Sequence, residues 1–216
     1  MDGFLNGFRI MLAPHEEELL VDYEWSKAMI DYAETDVKYK KYKYSCLNRA
    51  VDERGEGGRV LSIPQFWVSE EKGSLFEKMQ GDENERFARM RLFYSFMMLQ
   101  PGKKMLFMGS EFGEKNSWNE ERALDWYLME CQPNSRLKKY VREINLFYLR
   151  SSAMWGNDRV EWIERLDEER GIMSFARVSE RGEKIFAVFN FGDKEGKSIY
   201  VGEKTDMILD SDEKAF

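Results

Sequence analysis

The 216 residues hold 40 Asp and Glu against 33 Lys and Arg, a formal net charge of −7, with one histidine and two cysteines. That acidic balance argues against a nucleic-acid or anionic-membrane partner and is compatible with a neutral polysaccharide or a small neutral ligand. A multi-histidine metal site is excluded, and Cys46 and Cys131 are too few and too far apart for a disulfide framework or metal knuckle, which makes a reducing cytoplasm the expected location.

The first 18 residues scatter Phe4, Leu5, Phe8, Ile10, Met11 and Leu12 ahead of Pro14 and carry no motif. They show no basic, then apolar, leader, and no apolar run in the chain approaches the roughly 20 residues of a membrane span. A Ser/His/Asp or Cys/His nucleophile would depend on His15 alone, and His15, beside Glu16 to Glu18, reads as a solvated side chain at a helix start. Leu19 to Val21 is a short apolar run, followed by Asp22, Tyr23, Glu24 and Trp25 and by a helical stretch with Met29, Ile30 and Ala33. In KYKKYKY, Lys38 to Tyr44, bases alternate with tyrosines. That pattern suits an RNA or phosphate surface, or an amphipathic helix with Tyr39 and Tyr42 on one packed face and lysines at its rim.

ERGEGGR, Glu53 to Arg59, lacks the lysine and hydroxyl of a phosphate-binding loop and reads as a polar link. Val60 to Ile63 predicts a buried strand ending at Pro64, and Ser69 predicts the start of a helix whose first turn holds Glu70 and Glu71. The clearest helix runs from Gly81 to Leu99. Asp82 with Glu85 makes a capping box, and Phe87, Met90, Tyr94, Met97 and Met98 recur at helical spacing, with Leu92, Phe93, Phe96 and Leu99 widening the stripe.

Pro101 and Gly102 stop that helix. Met105 to Met108 then predicts a short parallel strand covered on both faces, and beyond it come Glu111, Glu114, Asn116, Trp118 and Asn119. LFMGSEFG, SWN and ALDW, at Leu106 to Gly113, Ser117 to Asn119 and Ala123 to Trp126, resemble the eighth strand and following loop of the 1,4-α-glucan (glycogen) branching enzymes, in the α-amylase-type barrel superfamily. Met79 to Lys104 resembles the seventh helix of that family, and DYEWSKAMIDY, with Tyr23 and Trp25, its sixth strand and helix.

The resemblance implies the C-terminal part of a (β/α)8 barrel, strands six to eight, over residues 1–150, and the start of an all-β domain over residues 151–216. It also implies cleavage of an α-1,4-glucan and transfer to a 6-hydroxyl, with neither metal nor organic cofactor. A whole barrel takes about 250 residues, so this chain is expected to hold only part of one. The family's nucleophile follows strand four and its general acid strand five, neither of which is recognisable here. Such carboxylates stand roughly 5 to 5.5 Å apart so that a covalent glycosyl-enzyme can form.

A third carboxylate follows strand seven, in a Ser, His, Asp, Glu tetrad that here aligns with Pro64, Gln65, Phe66 and Trp67. A phenyl ring cannot hold the charge that stabilises a cationic sugar, and only a slipped alignment would bring in Glu70 or Glu71. No catalytic residue is therefore expected in the chain. Trp118 and Asn119 are the leading sugar contacts, with Glu111 and Trp25 as further substrate-binding candidates, while Trp118 also fits a lid over the strand ends. Ala123, Leu124 and Leu128 around Trp126 predict that it is buried.

Asn134 and Ser135 are candidate caps for a last helix with Leu137, Tyr140, Val141, Ile144 and Tyr148 on one face. VEWIERL, IMSFARV, KIFAVFNF and SIYVG then predict an antiparallel meander. The expected protein is a catalytically inactive or truncated branching-enzyme relative with glucan contact at most. The alternatives are half of a split glucanotransferase completed by another chain, and a binding or scaffold module. Open barrel strands would need another chain or a second copy to cover them.

Overall fold

A computed structural model describes residues 19–52, 58–69, 72–155, 159–166, 168–192 and 205–216. The predicted elements around Phe4 to Pro14 and His15, most of the ERGEGGR link, Glu70, Glu71 and the SIYVG strand lie outside the described residues. A three-stranded parallel sheet is formed by β1 (Leu19–Val21), β2 (Gly58–Ser62) and β3 (Lys103–Met105), with β2 in the middle. Between β1 and β2 run α1 (Tyr23–Glu34), a 3-10 helix over Val37–Lys43 and α2 (Tyr44–Asp52). Between β2 and β3 run α3 (Leu75–Lys78) and α4 (Glu83–Leu99).

Asp22 fixes how the first of these units turns. Its carboxylate caps α1 by accepting from the Trp25 amide at 2.8 Å and pairs with the buried Arg59 guanidinium at 2.5 Å, while its own amide donates to the Val60 carbonyl at 3.0 Å. One residue thus caps a helix and ties it to the central strand. Ser26 adds a second tie, its hydroxyl donating to the Ser62 carbonyl at 2.6 Å.

The helix over 83–99 forms as predicted, with the reciprocal Asp82 and Glu85 capping box in place. Gly102 follows its end at φ 104°, where an added Cβ would stand 2.9 Å from the Arg59 carbonyl oxygen, so the stop also lets the chain pass close to β2. The strand beyond differs from expectation. It is Lys103–Met105 rather than Met105 to Met108, and Met105 and Met108 are 43% and 55% exposed. Among the described residues β3 is an edge strand, paired with β2 on one side. The helix expected from Ser69 starts instead at Ser74, whose capping box with Glu77 satisfies the first-turn amides, while Ser69 bridges to Trp118.

Past a long loop come α5 (Gln132–Arg150) and α6 (Ser152–Trp155), then the antiparallel strands β4 (Val160–Glu164), β5 (Ile172–Val178) and β6 (Lys184–Asn190) in that spatial order. Asn134 and Ser135 do not cap α5. The cap position is Cys131, and Asn134 sits buried in the first turn, donating to the Phe112 carbonyl at 2.8 Å. Leu137, Tyr140, Val141 and Ile144 form the buried face of α5, with Tyr148 partly buried beside them.

β5 is buried along its whole length because its sheet packs on α4. Phe96 on α4 meets Phe189 at 5.5 Å and Phe191 at 5.4 Å, both edge-on, and Arg177 reaches the Leu99 carbonyl. The apolar stripe of α4 is therefore wide because it faces the parallel sheet, α5 and the antiparallel sheet at once. Among the described residues, no helix is long and apolar enough to cross a membrane.

Candidate functional site

Loops that follow parallel strands gather at the strands' C-terminal end, where α/β proteins build sites. Here the loops after β2 and β3 are joined. The Trp118 amide donates to the Val68 carbonyl at 2.8 Å, Gly73 donates to the Ser117 hydroxyl at 3.1 Å, and the Ser74 hydroxyl donates to the Lys115 carbonyl at 3.1 Å. These links carry the Ser117 to Asn119 segment onto the residues just past β2.

In the loop after β2, Gln65–Trp67 forms a single 3-10 turn. Phe66 is 59% exposed and stands edge-on to Trp67 at 5.1 Å. The Lys72 ammonium lies 3.3 Å from the centre of the Phe66 ring and donates to the Phe66 carbonyl at 2.7 Å. A cation held on an aromatic face is attracted by the ring quadrupole. Lys72 thus places a cation on this turn. Nothing in the spacing of Lys72 marks it for that place.

In the loop after β3, Gly109 and Gly113 bracket a 3-10 turn over Ser110–Phe112. Gly113 has φ 72°, and a Cβ there would stand 3.0 Å from the Phe87 ring. Glu114 is buried. Its carboxylate accepts from the Asp125 amide at 2.8 Å and from the Asn116 amide at 3.1 Å. Asp125, also buried, accepts from Asn116 Nδ2 and Arg122 Nη2 at 2.5 and 2.6 Å and from the Tyr127 hydroxyl at 3.3 Å. Burial alone would raise the Asp125 pKa, but hydrogen bonds from Arg122 and Asn116 outweigh it and hold the carboxyl below its ordinary range. Glu114 and Asp125 are occupied in fixing the loop, a role their positions in sequence do not announce.

The predicted contacts divide. Trp118 is half-buried, its ring edge-on to Phe107 at 5.7 Å, and Asn119 beside it accepts from the Glu121 amide at 2.7 Å. Glu111 opens the same loop, half-buried, and its charge adds to burial in pushing the Tyr94 hydroxyl well above the ordinary tyrosine value. Trp25 stands apart from these three. It is 2% exposed, its indole N–H donates to Gln100 at 2.8 Å, and it offers no open face for a sugar to stack on.

Trp126 corrects the expectation of burial. It is 55% exposed, resting on Phe112 at 5.4 Å while Leu128 turns inward, because apolar neighbours in sequence did not become neighbours in space. Among the described residues, no group of three His, Cys, Asp or Glu side chains is arranged to hold a metal ion.

A parallel β/α segment followed by an antiparallel three-stranded sheet is an architecture shared with part of the pullulanase from Anoxybacillus sp. LM18-11. That match has a TM-score of 0.51 at 15% identity over 74% of this chain and 26% of the other. The chain is homologous to part of the 1,4-α-glucan branching enzymes. It is 37% identical over 162 residues to the 1,4-alpha-glucan branching enzyme GlgB of Halothermothrix orenii, covering 73% of this chain and 26% of that protein. It is 34% identical over 186 residues to the GlgB of Clostridium perfringens, covering 82% of this chain and 28% of that protein. The chain thus spans about a quarter of the length of the curated relatives it matches. No family model matches it.

Proposed function

We propose that this chain is a branching-enzyme-like segment that contacts α-glucan without catalysing its rearrangement. Its parallel strands correspond to strands six to eight of a (β/α)8 barrel over residues 1–150, and residues 151–216 correspond to the start of an all-β domain. The observation that carries this reading is the turn after β2, where Phe66 bears the Lys72 ammonium on its ring. The family's third carboxylate aligns there, and a cation on a phenyl ring opposes the charge the reaction develops. Trp118, Asn119 and Glu111 remain as the sugar contact, an indole to stack and polar groups to meet hydroxyls.

The chain incubated with amylose or glycogen is expected to leave the iodine-complex spectrum unchanged, and to sediment with glycogen less well as the Trp118→Ala variant. A spectral change caused by the chain alone would end the non-catalytic reading.

A second reading has its own support. Among the described residues, the outer edges of β1 and β3 carry no strand partner, and Leu19 and Leu20 on β1 are 60% and 58% exposed. Open apolar edges suit pairing with another chain or a second copy. In that case the chain is one part of a split glucanotransferase, and mixing it with a chain that supplies the missing carboxylates should generate branching activity that neither shows alone.

A further inference from the structure

The KYKKYKY segment is built the opposite way from an amphipathic helix with its tyrosines packed. Residues Val37–Lys43 are a 3-10 helix, Tyr39 and Tyr42 are 53% and 62% exposed, and Lys40 between them is 4% exposed. The Lys40 ammonium donates to the Tyr32 carbonyl at 2.8 Å, at the end of α1, and lies 4.2 Å from the centre of the Tyr32 ring. Burial, with Arg89 nearby, pulls its pKa down to about 7. On the next residue, the Tyr44 hydroxyl donates to the Phe191 carbonyl at 3.1 Å, and at the start of the turn Asp36 accepts from the Lys38 amide at 3.1 Å. The element is thus anchored at both ends and in its middle, with both tyrosines held outward.

In a 3-10 helix, residues three apart eclipse one another, about 6 Å apart along the axis. Tyr39 and Tyr42 therefore stand one above the other on a single edge. That spacing suits neighbouring sugar rings of a polymer. The ammonium groups of Lys38 and Lys41 lie 4.9 and 5.0 Å from the ring centres of Tyr39 and Tyr42. They lie over the rings, within reach of a ligand's hydroxyls, and Lys38 is also paired with Asp36. Together with the chain's net charge of −7, this favours a neutral ligand over a polyanion. The end of α1 is tied to the loop after β2 through Lys78, whose ammonium donates to Glu34 at 2.7 Å and to the Lys72 carbonyl at 2.6 Å, while Tyr39 and Tyr42 belong to neither strand-end loop.

We propose that Tyr39 and Tyr42 form a second α-glucan contact, a rigid surface platform on which the apolar faces of successive glucose units stack. It rests on the glucan reading above and adds a site that the strand-end loops do not contain. The test is affinity electrophoresis of the whole chain in glycogen-containing gels, with heparin gels as the polyanion arm. The samples are wild type, Tyr39→Ala/Tyr42→Ala, Tyr39→Phe/Tyr42→Phe and Trp118→Ala, each checked for an unchanged thermal transition.

Loss of the two rings should weaken glycogen retention about tenfold, the effect of one to two stacked aromatic faces. The phenylalanine pair should keep most of it. If the alanine pair binds glycogen like wild type, the platform is overturned, and a loss confined to Trp118→Ala then leaves the strand-end reading standing. If the alanine pair loses binding and Trp118→Ala does not, the platform holds and the strand-end contact falls. Tyrosine-dependent retention by heparin in place of glycogen also overturns the platform, and a wild type that glycogen does not retard overturns both contacts.

Discussion

The loops after β2 and β3 leave the same end of the same sheet and are hydrogen-bonded to each other, yet they are held by different physics. The loop after β3 is fixed by buried carboxylates: Glu114 accepts from two backbone amides, and Asp125 gathers Asn116, Arg122 and Tyr127. The loop after β2 is held where it is described by ring contacts and a lysine, Phe66 against Trp67 with Lys72 on its outer face. Acidic groups fix one loop, while an exposed phenyl ring and a lysine meet in the other. The two loops are therefore fixed in different ways at one end of the sheet, and four variants test how far.

The largest effect is expected from Glu114→Ala. Removing that carboxylate leaves the buried Asp125 amide and the part-buried Asn116 amide without their acceptor, which should destabilise the chain by about 2 to 3 kcal/mol. Urea denaturation measures it. The Trp118 to Val68 link should loosen with it and raise hydrogen exchange at the Trp118 amide. A loss under about 1 kcal/mol would mean that the loop is held by its aromatic contacts after all, and the contrast with its neighbour would vanish.

A smaller effect should follow from pH. Asp125 has a folded pKa below its ordinary value, so its contribution is complete above about pH 4 and is lost as pH falls through that value toward the folded one. The stability difference between wild type and Asp125→Ala should therefore narrow on acidification from pH 7 to pH 3. A difference that stays constant over that range would assign the Asp125 effect to packing rather than to charge.

Much of the fold is legible in the sequence, and the rest is not, for a physical reason. Asp82 with Glu85, the stop at Pro101 and Gly102, the apolar face of α5 and the antiparallel strands are local patterns, set by residues a few positions apart, and they form where spacing places them. The family resemblance at Leu106 to Gly113 likewise rests on contiguous residues. What failed was burial that depends on partners distant in sequence.

Trp25 is covered because Gln100 and Phe93 meet it, Trp126 is open because it lies on the outer side of the buried Phe112 ring, and Lys40 is buried because the end of α1 offers carbonyls to it. Met105 and Met108 are exposed and β3 is an edge strand among the described residues, neither of which any periodicity reveals. The Glu114 and Asp125 network escaped for the same reason. Eleven residues separate the Asp125 amide from the Glu114 carboxylate that receives it, and no motif links them.

The smallest expected effect is at Lys72, and it probes the other side of the comparison. An exposed ammonium over a ring is worth about 0.5 to 1 kcal/mol, and its bond to the Phe66 carbonyl competes with water. Lys72→Ala should therefore shift the urea midpoint only slightly and leave the Trp118 amide protected, since the links from Val68, Gly73 and Ser74 do not involve the lysine. In Phe66→Glu the new carboxylate should pair with Lys72 at a surface value of about 0 to 1 kcal/mol. On the non-catalytic reading proposed above, amylose should remain unaltered by that variant. Turnover by Phe66→Glu alone would overturn that reading.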